Sequence, residues 1–200
     1  MTSSTGTVDA PAPDSDQEDV VTRILREDRD VEGLFRAVEA EFGHSSDTVA
    51  GNVRQVVADL VRQSVGKEVH LYPFLRERFD GGDALADRMI WQNHEAEKTM
   101  KAMESLPFRG VDFWHQFKIL TSLVRQHAGE VELYLLPRLR REASADELLD
   151  LGRKMASTER TAPTRPHPNS PTEGGALAAL APGAGLVDRL RDAFSSHSPR

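Results

Sequence analysis

A chain of 200 residues with 38% hydrophobic content can fill one core of domain size, with residues left over for tails. The formal charge of -7 and pI near 5.5 argue against a phosphate-binding surface, so nucleic acid is not expected as a partner. The lack of cysteine excludes disulfides, zinc-thiolate sites and thiol catalysis.

No apolar run approaches the roughly 20 residues needed to span a bilayer. The N-terminus also lacks the basic-then-apolar order of a signal peptide, so a cytoplasmic protein is expected.

Residues 1–15 are small, polar and acidic, with Pro11 and Pro13, and read as a disordered tail. Ser15-Asp16-Gln17-Glu18 has the form of a capping box and predicts the start of a first helix. Val21, Ile24, Leu25, Val31, Leu34, Phe35, Val38 and Phe42 then recur at three- and four-residue steps up to Gly43. A second stripe carries Val53, Val56, Val57, Leu60, Lys67, Leu71 and Phe74, with a kink or break expected at Pro73 and a stop at Gly81-Gly82.

A third helix is predicted from Asp83 to about Leu106, with Leu85, Met89, Asn93, Ala96, Met100 and Met103 in phase. A fourth opens near Asp112 and aligns Phe113, Phe117, Leu120, Val124, His127, Val131 and Leu135 before Pro137 disturbs it. Ser144-Ala145-Asp146-Glu147 is a second capping box, opening a short helix to about Met155. Thr161 to Gly185, rich in Pro, Gly and Ala, reads as a linker, and Gly185 to Phe194 as a short amphipathic segment.

Four long amphipathic segments with short loops predict an all-α, up-down-up-down four-helix bundle over residues 16–158, with a short extra C-terminal helix. Residues 1–15 and 159–200 are expected as flexible tails. Three of the apolar stripes are interrupted by a polar side chain: Lys67, Asn93 and His127. Leu60-Val61-Arg62-Gln63 is repeated as Leu123-Val124-Arg125-Gln126, and Tyr72-Pro73 as Leu136-Pro137.

Residues from about 18 to 155 resemble a hemerythrin-like (HHE, cation-binding) domain. The likeness rests on Asp28, on Glu68 with Tyr72-Pro73, on the run Asn93 to Lys101, and on the set His127, Glu132 and Pro137. The tail from Pro163 to Pro168 and Gly183 to Arg189 is similar to those of many bacterial members. The resemblance implies two irons bridged by carboxylates and held by inward histidines from all four helices. It also implies a protein that binds or responds to oxygen, nitric oxide, peroxide or iron.

Set against that pattern, Arg29 stands in place of the first-helix histidine, and Gln63 and Lys67 stand in place of the second-helix histidine and glutamate. A register one residue later gives Ser64 and Glu68. Gln92-Asn93 replaces the third-helix Glu-His pair, leaving His94 one step off the stripe. His127 is kept, with Val131 at a glutamate position and Glu132 beside it.

The metal-ligand candidates are His127 and Glu132, with Glu68, His94 and Glu97 as additional donors, and His70 in a shifted or mononuclear arrangement. The expectation, however, is no cofactor and a metal-free polar network, in which Arg29 and Lys67 balance Glu97 and Glu132. The function expected is a non-enzymatic binding, regulatory or stress-related module, with another protein or a small diatomic molecule as partner. The alternative is a working non-heme iron protein with an altered ligand set. No serine lies in a nucleophile-elbow pattern.

Overall fold

The structure, a computed structural model, describes residues 18–42 and 47–162. The expected N-terminal tail, Ser15, and the proline-rich stretch with its amphipathic end lie outside those residues.

Helix α1 spans Val20–Ala40. It begins later than the capping-box pattern predicts, because Asp19 is the cap: its carboxylate accepts from the Val21 and Thr22 backbone N–H groups at 2.8 and 3.0 Å. Glu18 instead pairs with Arg26 at 3.1 Å.

The second arm is α2 (Asp47–Gly66), a wide π-helical turn at Lys67–Leu71, and α3 (Tyr72–Arg78). Helix α4 spans Gly82–Met103. The fourth arm repeats the second, with α5 (Val111–Glu130), a wide turn at Val131–Leu135, and α6 (Leu136–Glu142). Helix α7 (Ala145–Thr161) opens on the expected Ser144–Glu147 capping box and runs past Met155.

The prolines do not break their helices. Pro73 and Pro137 each lack an N–H and would drive their rings into the carbonyl four residues back. Both arms widen the preceding turn, so that Tyr72 N–H bonds the Lys67 carbonyl and Leu136 N–H the Val131 carbonyl, five residues earlier. The helix therefore passes through each proline, and Tyr72 and Leu136 turn inward to 2% and 4% exposure.

Cross-helix pairings fix the directions. On α4 and the fourth arm, Arg88 meets Glu130 and Gln92 meets His127. On the second arm and α4, Tyr72 meets Asn93, and the Glu68 charge reaches Glu97. Rising numbers on one helical arm of each pair match falling numbers on the other, so these neighbours are antiparallel. Helix α7 then packs against α1, α2 and the Lys67–Leu71 turn. The described residues thus form an all-α bundle with an extra C-terminal helix, and none of their helices is long and apolar enough to cross a membrane.

The core is divided in two. One apolar cluster gathers Val20, Ile24, Leu71, Leu75, Met89, Leu135 and Leu139 with α7 residues Leu151 and Met155. The other gathers Val31, Phe35, Val38, Val53, Met100, Phe113, Phe117 and Leu120. Between Ile24 and Val31 on α1 stands Asp28, between Val61 and Leu71 stand Gln63, Ser64 and Lys67, between Met89 and Met100 stand Asn93 and Glu97, and between Leu120 and Val131 stands His127. Every arm contributes to this polar waist.

Candidate polar site in the bundle core

The waist encloses a cavity of about 40 Å³, room for no more than a few water-sized molecules. Its polar wall comes from Asp28 of α1, Gln63, Ser64 and Lys67 of the second arm, Gln92, Asn93 and Glu97 of α4, and His127 of α5. Two of these arms place their groups one helical turn apart, as Gln63 with Lys67 and Asn93 with Glu97, which is how an i,i+4 pair presents both side chains to one point.

His127 is held by a chain of hydrogen bonds. Arg88 donates to Glu130 Oε2 at 2.6 Å, and Gln92 Nε2 donates to the same oxygen at 2.8 Å. That fixes the Gln92 amide with its carbonyl toward the imidazole, and His127 Nδ1 donates to it at 2.7 Å. The ring proton is thereby placed on Nδ1. Nε2 is left as a lone pair, shielded from solvent and without a partner among the described residues. Burial, then the nearby Lys67 charge, hold the imidazolium form down to a pKa of about 3, so the ring is neutral.

Among the described residues, Lys67 is the one cation on the cavity wall. It is 5% exposed and forms no ion pair among the described residues, although its charge reaches Asp28, Glu27 and His127. Burial raises the Asp28 carboxyl above its ordinary value, with Lys67 pulling it back and Glu132 adding to the rise. Burial and then the Glu68 carboxylate push Glu97 up to about 7. Asn93 donates to the Tyr72 hydroxyl at 2.8 Å, and burial with the Glu68 charge raises the Tyr72 phenol.

The donor set does not fit a di-iron centre. Among the described residues, His127 is the only imidazole on the cavity wall, an ammonium stands among the carboxylates, and no three His, Asp or Glu side chains converge as a metal-holding group.

Several sequence-derived placements need correction. Arg29 is exposed and, with Glu132, lines an outer groove between α1 and α5. Neither reaches the inner cavity, because the phase of α1 directs Asp28 inward and that of the wide turn directs Val131 into the apolar cluster. The expected balance of Arg29 and Lys67 against Glu97 and Glu132 therefore reduces to Lys67 with Glu97 and Asp28.

Glu68 is half-buried beside the cavity, with Ser64 Oγ at 3.5 Å. His94 is half-buried off the cavity wall, its pKa lowered by burial and then by Lys98. His70 Nε2 lies 2.7 Å from Thr158 Oγ1 of α7, so the shifted arrangement of His70, His94 and His127 is not assembled.

A buried network on the α7 side escaped sequence reasoning. Arg23, Glu27 and Glu159 are each at most 7% exposed. Arg23 and Glu27 sit beside Ile24 on an apolar face, and Glu159 follows Met155 by one turn; a charge on a stripe was the available signal.

No family model matches the chain, and no solved structure matches it. It is similar to a Schizosaccharomyces pombe protein described as an uncharacterized hemerythrin-like protein, with 23% identity over 170 residues, covering 84% of this chain and 83% of that one. Joined to the all-α bundle, that likeness supports the hemerythrin-like family for this chain.

Proposed function

We propose that this protein is a metal-free hemerythrin-like bundle, in which a lysine-centred polar cavity occupies the level where such proteins hold their irons, and that it serves as a non-enzymatic binding or regulatory module. The observation that carries this reading is the buried Lys67 on the cavity wall, one helical turn from Gln63 and with its charge reaching Asp28. An ammonium there competes with any divalent cation for the same carboxylates, and its repulsion adds to the shortage of imidazoles. The cavity suits a molecule of a few atoms, and larger partners would meet the outer surface.

One observation favours the second reading, an iron protein with an altered ligand set. The Glu130–Gln92–His127 chain orients an imidazole lone pair into the cavity, as outer partners of metal-binding histidines do. Anaerobic calorimetric titration with ferrous iron separates the two. The metal-free reading expects no heat of binding above that of a His127→Ala variant; saturable binding near one or two equivalents would support the iron protein.

A further inference from the structure

On the α7 side of Lys67, three helical arms bury a compact set of charges. Arg23 Nε of α1 lies 2.8 Å from Glu27 Oε1, and Arg23 Nη2 donates to Glu159 Oε2 of α7. The other two carboxylate oxygens, Glu27 Oε2 and Glu159 Oε1, are shielded from solvent and have no donor among the described residues, and the two carboxyl groups share Arg23 and lie close enough for the Glu159 charge to act on Glu27. Two ionised carboxylates are acceptors only and cannot bond each other, whereas one proton between them supplies the missing donor to both. The backbone of α2 holds Glu159 in place: a Cβ on Gly66 would stand 2.5 Å from Glu159 Oε1.

We propose that Glu27 and Glu159 form a one-proton latch between α1 and α7, and that loss of the proton at alkaline pH loosens α7 and uncovers the Lys67 side of the bundle. The groups facing the pair are Arg23 and Arg26 on α1, Lys67 and His70 on the wide turn after α2, and, next to His70 on α7, Asp150 and Lys154. Arg23, Arg26 and Lys67 favour the ionised pair. Burial and then the Glu159 carboxylate outweigh them, pushing Glu27 up to about 8.

Because this value lies above that of an unfolded glutamate, the docked state keeps a proton that the freed chain gives up. The latch is fully closed in acid and is lost as pH rises through about 8. Leu148, Leu151 and Met155 still hold α7 to the apolar cluster, so the change is local to that helix. The latch does not depend on what the cavity holds.

Amide hydrogen exchange of the full chain at pH 6 and pH 9, corrected for the chemical exchange rate, tests it. Protection across residues 148–159 should fall at least tenfold at pH 9, while that of residues 113–120 in α5 stays constant. In Glu27→Gln, whose amide supplies a permanent donor to Glu159, α7 should keep its pH 6 protection at pH 9. Glu159→Gln serves the same purpose should the first variant not fold. Equal α7 protection at both pH values, a loss shared equally by α5, or a loss that persists in a folded variant overturns the proposal.

Discussion

His127 donates from Nδ1 to the Gln92 side-chain carbonyl at 2.7 Å, which leaves its Nε2 lone pair turned into the core with no partner among the described residues. This pair sets the chemistry of the waist: a neutral imidazole, unable to add charge beside Lys67, stands where a metal-binding histidine is expected.

The first prediction concerns that ring. The folded pKa of about 3 lies below the value for an unfolded histidine, so between the two the unfolded chain binds a proton that the native chain refuses. Stability supplied by the neutral ring is therefore present above about pH 6.5 and is lost as pH falls toward 3. Nitrogen-15 NMR should show the Nδ1–H tautomer from pH 5 to 8. Gln92→Leu, which strands Nδ1, should cost about 1–3 kcal/mol in denaturant unfolding.

Glycines supply a test with opposite signs. Gly66→Ala drives a Cβ into Glu159 Oε1 and should destabilise by roughly 1–3 kcal/mol despite the better helix propensity of alanine. Gly51→Ala in α2 meets nothing within 4 Å and should stabilise by about 0.5–1 kcal/mol. Paired urea unfolding curves read both signs directly.

A third prediction rebuilds a ligand set. Gln63→His, Lys67→Glu and Asn93→His together add two imidazoles and remove the ammonium, beside the native Asp28, Glu97 and His127 on the cavity wall. The triple variant should take up ferrous iron that the parent does not, measured by metal analysis after anaerobic loading and desalting. Arg29→His should add nothing, since residue 29 faces the outer groove. Uptake that requires the Arg29 change would show that the inner wall is wrongly assigned.

Much of this arrangement was legible in the sequence. Lys67, Asn93 and His127 stood out because each interrupts an apolar stripe, and helical period alone sends such residues to the core. Arg29 was misplaced because motif likeness was followed over phase: Ile24, Val31 and Phe35 set the α1 stripe, and residue 28, four beyond Ile24 and three before Val31, falls on it. The prolines announced a disturbance, but whether a helix breaks or widens its turn is decided by packing on both sides, which local sequence does not carry. Glu27 and Glu159 were missed for a related reason: Glu27 beside Arg23 on one helix reads as a solvated i,i+4 pair, and Glu159 as a solvated face, until the fold brings Glu159 against that arginine and Gly66.

The most direct test of the metal-free account is the metal content of the protein purified after growth in iron-rich medium, read with its near-ultraviolet spectrum. The account predicts far less than one iron per chain and no band from a bridged di-iron centre. Iron near two per chain, with that band, would contradict it.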